Sequence, residues 1–597
     1  MNDHSDPSLS PDIRFQLIRK IECHKIIGLT GYELLEHEAK YLELHRLSGI
    51  ILFDRNIRSL SQVADLVGGV EERLSDGKLP PLVMADHEGD FVSELRSLIG
   101  IPPSALAVAA TGDPELAREV ARETGTAMAK LGVNVVLAPV ADCYLTPHSP
   151  ITGLRTFGRD PERVAEFVSQ TIKGYREAGV LACVKHFPGH GSTADDSHEQ
   201  LPEVKKSLDE LRALDLIPFA RAVRDDVDLV MTAHVVYSLG DGRDDLTPAS
   251  FDTRLLRTVL RDEMGFEGVV ITDALEMEGA RIHARARYGG LTGGFERSIL
   301  AGSDLLLYAS PVPEHMILQD DSEPMIAVEV IQTIIETLHK VVDRDRIDRK
   351  LEAAVKEHEG IRNLLEILDG SEARVRRLRV RARDLRVAPV PRPQGNVIQL
   401  QDYPSTPLIY KTVAERSLVT VRDPGSFLPV NADEEWMLLP VVHQPGESLK
   451  SQDLPALAEG ICRSFPRWRT GPLVVDFDTT GERVTPVFAR REHDLVLDAQ
   501  RATGTDLSAP QLPDDAALLP FFSARGLPPE EFLNGLTEFV VQRQIPFVVV
   551  TGAPLFDWVP ESVGCLLTLG ASPQVSAAVA AVLAGKKQAG GSIEGLI

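Results

Sequence analysis

The sequence is poor in several features that would assign it to a special class of protein. Its five cysteines (Cys23, Cys143, Cys183, Cys462 and Cys565) are scattered, odd in number and lack the spacing of a metal site. No apolar run reaches the length of a transmembrane helix, so no membrane contact is expected. With 63 Lys and Arg against 88 Asp and Glu, the formal net charge of -25 argues against a nucleic-acid partner. No internal repeat and no phosphate-binding glycine loop of the standard spacing is present, and no cofactor is expected.

What is present indicates a globular enzyme of more than one domain. A chain of 597 residues exceeds one hydrophobic core, and its hydrophobic content of 43% is ordinary for a soluble protein. The N-terminal segment MNDHSDPSLSPDIRF lacks the basic-then-apolar pattern of a signal peptide. Cys183 lies inside an apolar segment, which predicts a buried free thiol. We therefore expect a reducing, cytoplasmic location; the sequence does not define an oligomeric state.

Eight short apolar segments alternate with amphipathic segments in the first part of the chain. The amphipathic segments, such as PELAREVARETGTAMAKLG and PERVAEFVSQTIKGYREAG, end in Gly, as helices commonly do. Strands that alternate with helices in this way predict a TIM-like (β/α)8 barrel over residues 1–343, with a doubly wound open sheet as the alternative. The predicted strands are KIIG (25–28), GIILF (49–53), PLVMA (81–85), NVVLAP (134–139), VLACV (180–184), DLVMTA (228–233), GVVIT (268–272) and DLLLYA (304–309).

The rest of the chain predicts a linker and a second α/β domain. Residues 344–404 combine helical, charge-rich sequence with a basic run, RVRRLRVRARDLRVAPVPRPQG, whose Pro-rich end is typical of a semi-rigid linker. We interpret the basic run as a solvated helix and linker rather than a binding arm. Residues 405–597 predict a parallel sheet flanked by helices, an αβα sandwich. Its predicted strands are SLVTV (417–421), WMLLPVV (436–442), PLVVDF (472–477), DLVLDA (494–499), FVVVTG (547–552) and CLLTL (565–569).

Ionisable residues follow five successive predicted strands of the barrel. Barrel enzymes take their catalytic groups from the C-terminal ends of several strands, where the loops converge. Five such strand ends in a row indicate an active site rather than chance. The residues are Asp86 in MADHEG, Arg155 in ITGLRTFG, Lys185 and His186 in VKHFPG, His234 in VMTAH and Asp273 in VVITDALEM.

The loop after the fifth strand, KHFPGHGSTADDSH, adds Asp196 and His198. A buried strand that delivers a cation, imidazoles and a carboxylate to a loop is typical of catalytic sites. The alternative is a surface loop with incidental histidines. His186, His190 and His198 could also suggest zinc, but a closed site needs a further ligand and the ammonium of Lys185 would repel a cation. We therefore predict no metal and interpret His190 as a residue that structures the loop.

KHFPGHG followed by DSH resembles the signature of glycoside hydrolase family 3, in its bacterial β-N-acetylglucosaminidase branch. Further segments that resemble the family follow in the same order: ILFDRN, DHEG, LAPVADCY, SPITGLRTFGRDPERV, VMTAH and FEGVVITDALEMEGA. The resemblance is dense over roughly residues 20–340. It is weaker beyond, where KTVAERSLVTVRDP and LLTLGASPQVSAAVAAVLAG are similar to the start and end of the family's second, αβα domain.

The resemblance implies a retaining exo-β-N-acetylglucosaminidase that acts on chitin- or peptidoglycan-derived glycosides. Asp273 matches the nucleophile that forms a covalent glycosyl-enzyme, His198 the acid/base and Asp196 its partner in an Asp-His dyad. Histidine titrates near neutrality, so it can donate a proton and later remove one. The residues that match sugar-binding or site-lining positions are Asp86, Arg155, Lys185, His186 and His234, and Met277 is expected to form a wall of the pocket.

Several alternatives stay open at this point. A neutral histidine does not repel an anion, so phosphate could replace water as acceptor and make the enzyme a phosphorylase. The β-glucosidase or β-xylosidase branch of the family is a second alternative, although the DSH triplet is not expected there. The third is a sugar-binding protein without activity, and Asp273 could then merely cap a helix beginning at Ala274.

The segment after Asp86 departs from the family pattern. Where the family has an acid–Gly–Gly–Arg segment with another Arg soon after, this chain has Asp90 in place of Gly, and Phe91 and Glu94 in place of the two Arg. A Glu in place of Arg reverses the charge beside the sugar site. We therefore expect a neutral N-acetylglucosaminide, such as a chitin-derived oligosaccharide, rather than an anionic muropeptide-type ligand.

Overall fold

The computed structural model describes residues 23–75, 79–146, 152–193, 201–239, 247–311, 359–386 and 407–417. Beyond these ranges it describes eight short strands and residues 578, 579, 582 and 591. Asp196, His198 and the predicted strand at 494–499 lie outside the described residues.

Eight parallel strands form the barrel in the first part of the chain. Neighbouring strands pair in chain order, and a parallel bridge between Ile271 and Leu305 joins the seventh strand to the eighth and closes the ring. The predicted (β/α)8 barrel is therefore confirmed against the open sheet. The strands are β1 (Lys25–Gly28), β2 (Gly49–Leu52), β3 (Leu82–Ala85), β4 (Val135–Val136), β5 (Leu181–Phe187), β6 (Leu229–Thr232), β7 (Val269–Thr272) and β8 (Leu306–Pro311).

Helices surround the barrel and begin where the sequence supplies caps. The carboxylate of Asp160 accepts the N–H of Glu162, and Pro161 occupies the first turn, where its missing N–H costs nothing. The helices are α1 (Glu36–His45), α2 (Leu60–Leu74), α3 (Arg96–Ile99), α4 (Ala105–Ala110), α5 (Pro114–Lys130), α6 (Pro161–Glu177), α7 (Leu208–Ala213), α8 (Leu216–Arg224), a π-helical segment (Arg254–Glu263), α9 (Glu278–Tyr288), α10 (Leu291–Ala301), α11 (Glu359–Leu385) and α12 (Leu408–Ser417). In the described part of the chain, none is long and apolar enough to cross a membrane.

Apolar side chains fill the barrel from the inside. Ile26, Met84, Leu181 and Ile271 belong to this interior cluster and are fully buried. A second cluster, which includes Val83 and other strand side chains of the opposite face, packs against the helices. Because the interior is packed, a ligand must bind at one end of the barrel and not within it.

Helix α11 covers the N-terminal end of the barrel. Val375, Leu378 and Ala382 join the interior cluster, and the guanidinium of Arg374 lies 2.7 Å from the carboxylate of Asp304, just before β8. The part of the basic run that lies in α11, interpreted from the sequence as solvated, is therefore packed against the barrel on one side. Because α11 closes the N-terminal end of the barrel, a ligand site is expected at the C-terminal end.

The last part of the chain contains a mixed sheet in the order β9–β16–β15–β14–β10–β12–β13, with β11 beside β10. The prediction of a parallel sheet is wrong at both edges, because β9 pairs antiparallel with β16 and β13 pairs antiparallel with β12. The strands are β9 (Val419–Arg422), β10 (Trp436–Val442), β11 (Arg469–Thr470), β12 (Leu473–Val475), β13 (Val487–Ala489), β14 (Ala517–Phe522), β15 (Val548–Thr551) and β16 (Gly564–Leu567). Sequence analysis missed β11, β13 and β14.

Candidate active site

The C-terminal end of β3 places two carboxylates at the mouth of the barrel. Asp86 directly follows the strand, and Glu88 lies in a short strand, His87–Gly89, that pairs antiparallel with Val92–Ser93. The Glu88 side chain is 4% exposed and that of Asp86 is 21% exposed. Buried carboxylates need compensating charge.

Lys185 on β5 supplies part of that charge. Its Nζ lies 2.6 Å from Oδ1 of Asp86 and 2.5 Å from Oε1 of Glu88. Burial opposes the charge on the ammonium, but the two carboxylates outweigh this effect and raise the pKa of Lys185. The ammonium therefore stays protonated while it is almost fully enclosed.

Arg155 supplies the second cation from the 3₁₀ turn Gly153–Arg155 after β4. Its Nε and Nη2 donate to the two carboxylate oxygens of Glu88 at 2.7 and 2.8 Å, a bidentate pair. Burial by itself would raise the pKa of Glu88, but Arg155 and Lys185 hold it well below its usual range. Two carboxylates and two cations thus form a network without net charge.

His186 extends this network toward β4. Its Nδ1 lies 2.7 Å from Oδ2 of Asp142, and its backbone N–H donates to Oδ1 of the same carboxylate. Its Nε2 lies 3.4 Å from Nη2 of Arg155. Asp142 is fully buried, and the imidazole lowers the pKa of its carboxyl although burial opposes this. His186 is therefore held on one side by an anion and faces a cation on the other.

His190 belongs to the structure of the loop, as the sequence suggests. Its Nδ1 lies 2.7 Å from Oγ1 of Thr193, and its backbone N–H donates to Asp142 at 2.7 Å. Burial, with the nearby imidazole of His186, lowers the pKa of His190 to about 4, so its ring is neutral at physiological pH.

Asp273 directly follows β7 and is partly exposed at the barrel mouth. Its Oδ1 accepts the N–H of Ala274 at 2.8 Å, and its own backbone N–H donates to Thr232 at the end of β6. Burial raises the pKa of Asp86, and the negative charge of Asp273 adds to this effect. The helix after Asp273 begins at Glu278, so Asp273 does not cap it.

His234 contacts the loop that carries Asp273. Its Nε2 lies 3.0 Å from the carbonyl oxygen of Ala274, and its Nδ1 lies 2.7 Å from Oγ of Ser250. Because a carbonyl oxygen only accepts, Nε2 carries the proton and donates. Met277 precedes α9 at the end of the same loop and is partly buried.

The three departures from the family pattern follow Glu88 closely in the chain. Glu94 accepts the N–H of Asp54 after β2 at 2.8 Å and is largely buried. Asp90 adopts a φ of 49°, and its backbone N–H donates to Pro102. Phe91 packs against the cluster between barrel and helices. The Glu94 carboxylate thus holds the loop after β2.

In the described part of the site, ion pairs and hydrogen bonds link Asp86, Lys185, Arg155 and His186 by way of Glu88, and Asp273 follows β7 at the same end of the barrel. Asp196 and His198, the predicted dyad, lie outside the described residues.

Glu88 and Asp142 are members of the network that sequence analysis did not single out. Both lie within DHEG and LAPVADCY, shortly after β3 and β4. Their place close after strand ends was the signal that could have identified them. The network they complete offers fixed hydrogen-bond donors and acceptors, which suits a ligand with several hydroxyl groups.

Comparison with known families identifies relatives of this chain. Residues 19–357 match the model of the Glycosyl hydrolase family 3 N terminal domain. The chain is 34% identical over 292 residues to a beta-hexosaminidase of Stenotrophomonas maltophilia, a match that spans 48% of this chain and 83% of that protein. It is 38% identical over 262 residues to a beta-hexosaminidase of Methylococcus capsulatus, across 43% of this chain and 75% of that protein.

A solved structure extends the likeness to the whole chain. A glycoside hydrolase family 3 beta-N-acetylglucosaminidase from a Paenibacillus species superposes with a TM-score of 0.73 at 24% identity. The superposition covers 97% of this chain and 98% of that one, so both share a two-part fold.

Proposed function

The chain belongs to glycosyl hydrolase family 3 and is a glycoside hydrolase, and on this premise we propose that it is a retaining exo-β-N-acetylglucosaminidase. The observation that carries the proposal is that Asp273 follows β7 at the same end of the barrel as the largely buried Asp86–Lys185–Glu88–Arg155 network. The family model that matches residues 19–357 covers the part of the chain that contains Asp273 and this network.

Asp273 is the nucleophile in this proposal. A lone pair of its carboxylate attacks the anomeric carbon, the bond to the leaving oxygen breaks, and a covalent glycosyl-enzyme forms. The hydrogen bond from Ala274 N–H to Oδ1 fixes the carboxylate plane, which favours attack through one oxygen.

His198, oriented by Asp196, is proposed to donate a proton to the leaving oxygen in the first step. In the second step the same imidazole removes a proton from water, the water oxygen bonds to the anomeric carbon and Asp273 is released. Two displacements at one carbon retain the β configuration.

The remaining residues hold the sugar. Asp86 can accept hydrogen bonds from hydroxyl groups, while Lys185 and Arg155 can donate to them. Because these charges compensate each other before substrate binds, a neutral sugar can enter without leaving an ion unpaired.

We propose a neutral, chitin-derived substrate rather than an anionic one. Phe91 and Glu94 stand where the family has arginines, so neither position carries the positive charge that would bind an anionic sugar. Kinetics on chitobiose and on an anhydromuramic-acid-containing disaccharide test this: a strong preference for the anionic sugar would overturn it.

The central test is a panel of 4-nitrophenyl glycosides with the wild type, Asp273→Asn and His198→Ala. We expect activity on the β-N-acetylglucosaminide, a loss of about a thousandfold or more in Asp273→Asn, and labelling of the Asp273 peptide by a 5-fluoro N-acetylglucosaminyl fluoride in the wild type. Full activity in both variants would contradict the mechanism.

A matched control is Glu276→Gln, on the same loop. Glu276 accepts the N–H of Ser310 and ties the loop to β8, so this variant should lose no more than about tenfold. Repeating the assay with phosphate distinguishes water from phosphate as acceptor: appearance of sugar 1-phosphate would identify a phosphorylase.

A further inference from the structure

Asp142 is a buried carboxylate whose two oxygens have different partners. Oδ1 accepts two backbone N–H groups, from His186 at 3.1 Å and from His190 at 2.7 Å. Oδ2 faces Nδ1 of the His186 ring at 2.7 Å. The side chain is fully buried on the loop after β4, so these contacts define its surroundings in the described part of the site.

The partners of the two ring nitrogens of His186 determine which nitrogen carries the proton. A carboxylate only accepts, so Nδ1 carries a hydrogen and donates to Asp142. Arg155 only donates, and its Nη2 lies 3.4 Å from Nε2 of His186. A second hydrogen on Nε2 would point at the guanidinium, so Nε2 is left with its lone pair.

We propose that Asp142 is a positioning residue that holds His186 as the neutral Nδ1–H tautomer, so that Nε2 keeps a lone pair, to which a sugar hydroxyl donates in place of the long 3.4 Å contact with Arg155. The functional part of this inference rests on the proposed glycosidase activity. The assignment of the tautomer does not, because it concerns the ligand-free protein. His186 would thus bind the sugar as an acceptor, whereas Lys185 and Arg155 bind it as donors.

Asp142→Asn is a specific probe of this arrangement. The two backbone N–H groups at Oδ1 require an oxygen, so the amide of the variant must place its NH2 at the position of Oδ2. That NH2 then donates to Nδ1 of His186, which must give up its hydrogen. The proton moves to Nε2, where it faces Arg155. An isosteric change at Asp142 should therefore convert His186 from acceptor to donor.

The tautomer can be measured directly by NMR on full-length protein labelled with 15N-histidine, with His186→Asn used to assign the ring signals. In the wild type we expect one protonated Nδ1 and one unprotonated Nε2 for His186. In Asp142→Asn we expect the reverse pattern. An imidazolium or an Nε2–H tautomer in the wild type would overturn the proposal, and so would an unchanged pattern in the variant.

Kinetics provide the functional readout. We expect kcat/KM for the N-acetylglucosaminide to fall by about ten- to a hundredfold in Asp142→Asn, because a buried donor replaces an acceptor. Asp304→Asn is the matched control, since Asp304 is also fully buried but lies at the N-terminal end of the barrel. It should lower the melting temperature and leave the His186 pattern unchanged. A tautomer change without a kinetic effect would contradict the acceptor role alone, and an inactive wild type would instead refute the proposed function.

Discussion

Glu88 is the residue on which the charge balance of the site depends. It is shared by Arg155, in a bidentate pair, and by Lys185, and both contacts are largely buried. Glu88→Gln would leave two enclosed cations with Asp86 as their remaining carboxylate in this network. Because an uncompensated buried charge is costly, we expect a loss of about 3 kcal/mol in unfolding free energy at pH 7. Calorimetry of the barrel transition measures it.

The pH dependence of this loss has a definite sign. The folded-state pKa of Glu88 lies below its unfolded value of about 4.3. Its ionised form therefore contributes stability above that pH, and the contribution is lost as the pH falls below it. The difference in melting temperature between wild type and Glu88→Gln should narrow below about pH 4. A constant difference down to pH 3 would contradict the ionic role, and Glu177→Gln, which removes an exposed pair with Arg118, should cost less than about 1 kcal/mol.

His234 is another residue with a specific role, because it contacts the loop that carries the proposed nucleophile Asp273. His234→Phe keeps a ring beside Phe251 but removes the donor to the carbonyl of Ala274. We expect kcat to fall by about ten- to a hundredfold with little change in KM, because the carboxylate of Asp273 is displaced while the sugar contacts remain. Steady-state kinetics check this. His283→Phe, on the other face of Phe251, is the control and should keep kcat.

Site residues could be predicted from the sequence where they lie at or near the end of a predicted strand. Asp86 and Asp273 directly follow strands, Lys185 lies near the end of β5, and parallel strands bring their ends together. Asp142 could not be assigned in this way, because its partner His186 lies 44 positions away and only the packed loops show which imidazole the carboxylate meets. The same holds for Glu88 and Arg155, which are 67 positions apart.

At the scale of elements, α11 shows how a charged sequence can conceal a buried face. Its arginines dominate the run RVRRLRVRARDLR, but Leu378 is one of the side chains that enter the barrel interior. Leu378→Ala should cost about 2–5 kcal/mol because it leaves a cavity in that cluster. Thermal unfolding measures the loss, and KM should stay unchanged because the site is at the other end. Arg383→Ala, on the exposed face, should have an effect below about 0.5 kcal/mol.

Strands were predictable as apolar runs, but their direction in a sheet was not. All eight barrel strands coincide with predicted segments, because a strand buried on both faces has a continuous apolar sequence. The same pattern does not distinguish parallel from antiparallel pairing, so the direction of the edge strand β9 was predicted wrongly, and the other edge strand, β13, was not predicted. The two-residue strand β11 is too short to leave a pattern in the sequence.

At the scale of the whole molecule, α12 shows that the barrel is packed against residues beyond the predicted domain boundary. This helix follows the proposed boundary at residue 405, yet Tyr410 and Val413 are buried in the cluster between barrel and helices. The hydroxyl of Tyr410 lies 2.6 Å from Oγ1 of Thr124 on α5. The barrel therefore gains part of its apolar cover from sequence on the far side of that boundary.

Two truncated chains test this dependence. A chain of residues 1–417 keeps α12 and should be soluble and unfold cooperatively. A chain of residues 1–404 should aggregate or melt at a clearly lower temperature, because it exposes the apolar groove that Tyr410 and Val413 cover. Tyr410→Phe in the longer chain separates the hydroxyl contact from the apolar one and should cost about 1 kcal/mol. If both truncated chains have the same yield, dispersity and melting temperature, α12 belongs energetically to the second domain and the boundary stands at residue 405.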